Sequence, residues 1–132
     1  ESDDEEGLKR IKREYTLAEI RYWLLSKKYK EICPKEDTVI ILYFYASKDC
    51  EKCEAQGAIL TSLKELFGNK LFIFSLDAIF TQEPMINILT ESFNINSTPS
   101  VIINNIPIRE FTKKEELKEV ICSQYKIKPD SC

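Results

Sequence analysis

The sequence predicts an α/β domain in which helices flank a four-stranded mixed sheet, with an additional long N-terminal helix. Two short runs are apolar on both faces, as in strands that helices cover on each side. Segments of helical periodicity alternate with the strand candidates in the order helix, β, α, β, α, β, β, α. The length of 132 residues suits a single domain.

Composition excludes several classes of protein. Hydrophobic residues make up 43% of the chain and charged residues 31%, which excludes a disordered, collagen-like or mucin-like chain. Histidine is absent, so Ser-His-Asp and Cys-His catalysis and histidine metal ligation are excluded. The longest apolar run, Val39–Ala46, is too short to span a bilayer. Because the chain begins at Glu1 rather than Met, we expect that an upstream segment has been removed.

Charge is unevenly distributed along the chain. Residues 1–6 hold five acids and no base, whereas residues 9–30 hold eight bases and two acids. We expect residues 1–7 to form a disordered acidic tail. The remainder of the chain is mildly acidic, which argues against nucleic acid as a partner.

Residues 8–33 are predicted to form an amphipathic N-terminal helix that Pro34 ends. Eight residues, here called the apolar stripe, follow one another at alternating spacings of three and four, which is helical periodicity. They are Leu8, Ile11, Tyr15, Ala18, Tyr22, Leu25, Tyr29 and Ile32, and the apolar face is widened beyond them by Leu17, Ile20, Trp23 and Leu24. We expect the stripe to pack on the domain. Two alternatives are a short coiled coil with another chain and a position near a membrane surface, next to an anchor outside this chain.

Residues 34–126 hold the remaining elements, and residues 127–132 form a tail without a clear pattern. The predicted strands are Thr38–Tyr45, Leu71–Leu76, Ser100–Ile103 and Ile106–Arg109. The predicted helices run from Cys50 or Glu51 to Phe67, from Glu83 to Phe93, and from Thr112 to Tyr125. Asn104-Asn105 predicts a tight hairpin, and Thr112–Glu115 has the pattern of a capping box.

Cys50-Glu51-Lys52-Cys53 stands where a buried strand is predicted to lead into a helix. If Cys50 lies at the helix N-terminus, the unpaired N–H groups and the macrodipole there stabilise a thiolate and lower the pKa of Cys50. Cys53 follows about one turn later. Cys50 can then attack a substrate disulfide, and Cys53 can resolve the mixed disulfide.

At this junction the chain resembles the thioredoxin-like superfamily, over about Thr38–Tyr125. The resemblance rests on the strand–CxxC–helix junction, the βαβ and ββα order, and Thr98-Pro99-Ser100. It implies a catalytic pair of Cys50 and Cys53, a cis-proline at Pro99, and backbone contact between Thr98 and an extended substrate peptide. The implied activity is thiol–disulfide oxidoreduction on protein substrates, served by a redox partner protein. No bound cofactor or metal is expected, since the dithiol cycles itself.

The chain departs from thioredoxin proper at two places near the motif. Thioredoxin has Trp-Cys-Gly-Pro-Cys, where this chain has Asp49-Cys50-Glu51-Lys52-Cys53. Thioredoxin also carries a buried acid in the preceding strand, but Leu42–Tyr45 contains none. The direction of the redox reaction therefore does not follow from the resemblance.

Other interpretations of the cysteines stay open at this stage. Cys50 and Cys53 could form an inert structural disulfide in a non-catalytic module that binds a partner or client peptide. They could also be half of a zinc site that Cys33, Cys122 or Cys132 completes. Cys122–Cys132 or Cys33–Cys122 could instead be a structural bridge. Either bridge would favour an oxidising, extracytoplasmic location, and the full-length protein could be membrane-anchored.

Overall fold

A computed structural model of the chain describes residues 2–132 and has the predicted order of elements. The helices are α1 (Ser2–Ile32), α2 (Cys53–Phe67), α3 (Pro84–Ser92) and α4 (Lys114–Ser123). The strands are β1 (Val39–Tyr45), β2 (Leu71–Asp77), β3 (Ser100–Ile103) and β4 (Ile106–Ile108). A 3-10 turn, Gly68–Lys70, joins α2 to β2.

The four strands form one mixed sheet in the order β2-β1-β3-β4, as the α/β prediction requires. β1 runs parallel to β2 and antiparallel to β3, and β4 pairs with β3 as an antiparallel hairpin. β1 lies inside the sheet and its side chains alternate between two cores. Ile41 and Tyr43 belong to the core with α2 and α4. Leu42 and Phe44 belong to the core with α1 and α3. This two-sided burial explains the unbroken apolar run of β1.

α1 begins earlier than the sequence predicts. The helix starts at Ser2, so residues 2–7, predicted as part of a disordered acidic tail, are helical; Glu1 lies outside the described residues. The first turn contains the acidic Asp3, Asp4 and Glu5. Negative side chains at this end interact favourably with the helix dipole, which offsets their mutual repulsion.

α1 packs on the domain through Ile20 and Trp23, which widen the predicted apolar face, rather than through the apolar stripe itself. Thr16, Ile20 and Trp23 are buried, whereas the apolar stripe is largely exposed and borders two grooves beside β2. Trp23 contacts the ring of Phe93 edge-on, with centroids 6.0 Å apart. Two polar contacts to β2 determine the rotation of the helix. Lys12 donates to Asp77, and Glu19 accepts from the backbone N–H of Ser75.

Two predicted local features have different outcomes. The Asn104-Asn105 hairpin is confirmed, with Asn104 in the left-handed region at φ 54°. The capping box at Thr112 is wrong, because α4 begins at Lys114 with Lys113 as its N-cap. Thr112 has other partners: its hydroxyl donates to the carbonyl of Glu110, and its backbone N–H donates to the side chain of Gln56.

The C-terminal tail is fastened to the domain. Cys122 and Cys132 form a disulfide, so one of the two structural bridges left open by the sequence is present. Cys33, at the end of α1, is a free thiol. Within residues 2–132 no helix combines the length and apolar character that crossing a membrane requires.

Candidate redox site

The two cysteines lie where β1 leads into α2, but the helix begins later than predicted. α2 starts at Cys53, and Lys52 is its N-cap. Cys50 therefore precedes the helix by three residues, and Glu51 and Lys52 form a turn between the two cysteines. Asp49, with φ 55°, turns the chain just before the motif. The N-terminus of α2 therefore lies at Cys53. The disulfide bond to Cys53 holds the sulfur of Cys50 close to this end of the helix.

Cys50 and Cys53 are joined by a disulfide, with Cα atoms 5.5 Å apart. The two residues differ in access to solvent. Cys53 is buried, with 8% of its surface exposed, whereas Cys50 is only partly buried. Cys50 is therefore the more accessible of the two cysteines.

Cys53 is held by the strand that precedes it. The hydroxyl of Tyr43 donates to the carbonyl of Cys53 at 2.7 Å, and the backbone N–H of Ala46 approaches the sulfur of Cys53 at 3.5 Å. Burial, together with the nearby Tyr45, raises the pKa of Tyr43 to about 12. Tyr43 accordingly stays protonated at neutral pH and remains a hydrogen-bond donor.

A second contact joins the motif to the segment before α4. The fully buried side-chain amide of Gln56 donates to the carbonyl of Thr112 at 3.1 Å and accepts from its N–H at 2.9 Å. The ammonium of Lys52 lies 5.1 Å from the centre of the Phe111 ring. These contacts position the first turn of α2, and hence Cys53, against the segment that enters α4.

The Thr98–Pro99 peptide bond is cis, and it precedes β3 directly. In the antiparallel register Phe44 pairs with Ser100. Thr98 and Pro99 consequently lie at the end of β1 that leads to Cys50. The loop is held by the hydroxyl of Ser97, which donates to the carbonyl of Arg109.

An open groove borders the disulfide on the side of β2. The residues around it come from β1, the motif loop, α2 and β2. They are Tyr43, Tyr45, Ala46, Ser47, Cys50, Cys53, Glu54 and Ser75. Both predicted catalytic cysteines are thus at one surface depression.

Comparison with known proteins rests on structure alone. No family model and no curated protein matches the chain. A structure described as a malarial protein is 22% identical, covers 67% of this chain and 98% of its own, and has a TM-score of 0.57. A thioredoxin-2, described as a component of the malaria parasite protein secretion machinery, is 24% identical and has a TM-score of 0.54. The match covers 64% of this chain and 82% of the thioredoxin-2 chain. A mutant thioredoxin from Halobacterium salinarum is 16% identical, covers 74% and 84%, and has a TM-score of 0.56.

The chain has the thioredoxin fold. The predicted resemblance is therefore confirmed at the level of the fold, with α1 as an addition to the sheet and its flanking helices. In this thioredoxin fold, the CxxC pair occupies the junction between β1 and α2.

Sequence reasoning missed a buried acid near the motif. Asp77, at the carboxyl end of β2, is 3% exposed and accepts from Lys12 at 2.6 Å, from the N–H of Ser47 at 3.2 Å and from the N–H of Ile79 at 3.3 Å. Burial works against its charge, but these hydrogen bonds outweigh it and lower the pKa of Asp77. A signal was present, since Asp77 ends an apolar strand, parallel to β1, whose carboxyl end lies beside the motif loop.

The zinc alternative lacks a ligand cluster in the part of the chain that the structure describes. Among residues 2–132 no three His, Cys, Asp or Glu side chains are grouped so that they could hold a metal ion. Cys122 is bonded to Cys132, and Cys33 lies at the amino-terminal approach to β1, opposite the motif.

Proposed function

We propose that the protein is a thiol–disulfide oxidoreductase that acts on protein thiols and disulfides through Cys50 and Cys53. The observation that carries the proposal is the Cys50–Cys53 disulfide in the thioredoxin fold, with its more accessible sulfur at the same end of β1 as the Thr98–Pro99 loop. Thr98 is partly exposed, so its backbone is available for short β-pairing with an extended substrate.

In the reducing direction, the thiolate of Cys50 attacks one sulfur of a substrate disulfide. A mixed disulfide forms, and the other substrate sulfur leaves as a thiolate. The thiolate of Cys53 then attacks the sulfur of Cys50 and displaces the second substrate thiolate. Two electrons pass to the substrate, and the protein ends in the disulfide state seen here. The reverse sequence donates the disulfide to a substrate dithiol, and a redox partner protein restores the starting state.

The burial difference between the cysteines supports this assignment of roles. Cys50 is the accessible sulfur and is proposed as the nucleophile, while the buried Cys53 is proposed as the resolving thiol. The hydrogen bond from Tyr43 and the approach of the Ala46 N–H keep Cys53 within reach of Cys50.

Activity measurements on matched variants test the proposal. We expect the wild type to accelerate insulin reduction by dithiothreitol, or oxidative refolding of a reduced protein, and Cys50→Ser to lose that acceleration. Cys33→Ser is the matched control, because Cys33 is distant from the motif, and it should keep the wild-type rate. Equal rates for wild type and Cys50→Ser would refute catalysis and favour the non-catalytic binding module.

Trapping of intermediates tests the roles of the two cysteines separately. Cys53→Ser should accumulate mixed disulfides through Cys50, since the second attack is blocked. Mass spectrometry of the trapped species identifies the bonded cysteine. Adducts formed mainly through Cys33 or Cys122 would contradict the assignment, as would adducts that persist when Cys50 is also replaced by Ser.

We also propose that the domain works in an oxidising, extracytoplasmic compartment. The Cys122–Cys132 disulfide supports this, because a second disulfide remote from a redox motif is typical of such compartments. Cells quenched in acid and alkylated without reductant should yield protein with Cys122 and Cys132 unmodified. Complete alkylation of both cysteines would argue for a reducing compartment.

A further inference from the structure

The outward face of α1 is an unpartnered apolar surface. Seven of the eight residues of the apolar stripe are 56–71% exposed, all except the partly buried Ala18. They form one continuous row along a helix of 31 residues rather than scattered single exposures. Contiguous apolar surface of this kind marks an interaction site.

The stripe is not the face that α1 buries on the domain, although one edge of it borders two open grooves beside β2. The buried face of α1 is centred on Ile20, with Thr16 and Trp23 beside it. At 100° per residue, the middle of the stripe lies about 150° around the helix from the middle of the buried face. The stripe residues that are 56–71% exposed are therefore accessible to a partner, which would lie beside β2.

The spacing of the stripe is that of a two-helix coiled coil. Its residues repeat at three and four over four heptads, which places them at the a and d positions. The a positions are Leu8, Tyr15, Tyr22 and Tyr29, and the d positions are Ile11, Ala18, Leu25 and Ile32.

The charges of α1 favour a second copy in the antiparallel orientation. The first turn is acidic, whereas the second half of the helix is basic, with Arg21, Lys27, Lys28 and Lys30. A parallel pair would place like-charged ends together and Glu14 beside Glu19 of the other helix. An antiparallel pair places each acidic end beside a basic end.

We propose that two copies of the chain dimerise through an antiparallel coiled coil of α1, in which the numbers of two facing core residues add up to 33. In this register Leu8 packs on Leu25 of the second copy, and Ile11 packs on Tyr22 of the second copy. On the exposed flank, Glu14 lies beside Arg21 of the second copy, and the symmetry of the dimer provides this ion pair twice. With this pairing, the two α1 helices lie side by side along residues 2–31 of each chain.

The exposed flank is the one that decides orientation. Glu14 and Arg21 are both exposed, whereas on the other flank Lys12 and Glu19 already contact Asp77 and Ser75 of their own domain. The interhelical charge preference therefore rests on the Glu14–Arg21 pair, which is available without breaking a contact within the chain.

The first test is the mass of the protein in solution. Sedimentation equilibrium should give a dimer for the wild type and a monomer for Leu25→Lys, at concentrations up to about 100 µM. Leu24→Lys is the matched control, because Leu24 is 49% exposed but lies outside the stripe, and it should remain dimeric. A monomeric wild type would overturn the proposal. If that monomer also bound phosphatidylglycerol vesicles through the stripe, the stripe would be a membrane-binding surface instead. Equal dimerisation of the two lysine variants would also overturn it.

Charge reversal tests the orientation. Glu14→Arg and Arg21→Glu should each raise the dimer dissociation constant about tenfold at low salt, because each creates two like-charge contacts. The double variant Glu14→Arg/Arg21→Glu should restore wild-type dimerisation. In a parallel coiled coil Glu14→Arg would instead face Glu19 of the other helix and tighten the dimer, which would overturn the antiparallel register.

Cross-linking at Cys33 gives an independent check. In the oxidised protein Cys33 is the free thiol among residues 2–132, so a short bismaleimide reacts there. In the antiparallel dimer the two Cys33 residues lie at opposite ends of the coiled coil, about 50 Å apart. In protein that sediments as a dimer, absence of the cross-link supports the antiparallel orientation, and efficient cross-linking would overturn it.

Discussion

Asp77→Asn is expected to weaken the contact between α1 and the sheet while leaving the fold intact. The carboxylate of Asp77 accepts hydrogen bonds from Lys12, from the N–H of Ser47 and from the N–H of Ile79. Asparagine has nearly the same shape and keeps one carbonyl oxygen for the two backbone donors. The variant therefore loses the charged contact to Lys12 and little else.

The magnitude follows from the burial of the two partners. The side chain of Asp77 is 2% exposed and that of Lys12 is 39% exposed. A hydrogen bond to a charged group contributes about 1.5–3 kcal/mol, and Lys12 regains water when its partner is neutral, so we expect a loss of about 1–2 kcal/mol. Asp77→Ala also removes the acceptor of the Ser47 and Ile79 N–H groups, which water can partly replace because both residues are exposed, and it should cost about 2–3 kcal/mol.

Urea unfolding at neutral pH measures both losses. Trp23 is the single tryptophan and lies in the contact of α1 with the domain, so its fluorescence reports the docking of α1, while circular dichroism reports the fold. Asp49→Asn is the matched control, because Asp49 is exposed and asparagine suits its positive φ. The control should change the free energy of unfolding by less than about 0.5 kcal/mol.

The pH dependence gives the sign of the effect. Because the hydrogen bonds outweigh burial and lower the pKa of Asp77 below its ordinary value of 3.8, the ionised form stabilises the folded state above that pH. This contribution is lost as pH falls through the lower folded-state pKa. The difference between wild type and Asp77→Asn should thus be constant near neutral pH and shrink in acid below pH 3.8. Equal stability at neutral pH, or a difference that grows in acid, would refute this account.

Three further variants test other parts of the structure by the same unfolding measurement. Ile20→Ala should cost about 2–4 kcal/mol because it leaves a cavity on the buried face of α1, while Leu24→Ala, at an exposed position outside the apolar stripe, should cost less than about 1 kcal/mol; equal costs would mean that α1 is rotated. Gln56→Ala should cost about 2–4 kcal/mol, since two buried backbone groups lose their partners; a loss below about 0.5 kcal/mol would contradict this role. The paired replacement of Cys122 and Cys132 by Ser should cost about 2–3 kcal/mol through loss of a short closed loop, and an unchanged midpoint would contradict it.

Local pattern was sufficient for the order of the elements and for the position of the motif. The two-sided apolar run of β1 and the helical spacing after the CxxC are properties of neighbouring residues, so they are visible in the sequence. Element ends were less well predicted. The start of α2 moved from Cys50 to Cys53 because Asp49 turns the chain and Cys50 closes a turn onto Cys53.

Contacts between distant segments could not be predicted in the same way. The sequence contained no indication that Gln56 would bond to Thr112, or that Lys12 would reach Asp77, because each pair depends on how separate elements pack. The capping prediction at Thr112 failed for the same reason, since Gln56 competes for the backbone of that residue.

The sequence by itself determined the alternation of helices and strands, the CxxC at a strand–helix junction and the amphipathic character of α1, because each is encoded in the spacing of nearby residues. Tertiary structure decided which face of α1 is buried, which cysteines are bonded and which acid is buried at the end of β2. Those outcomes depend on complementary surfaces and hydrogen-bond partners far apart in the chain. Periodicity establishes that α1 has an apolar stripe, whereas only the packing of Ile20, Trp23 and Lys12 against the sheet leaves that stripe largely exposed.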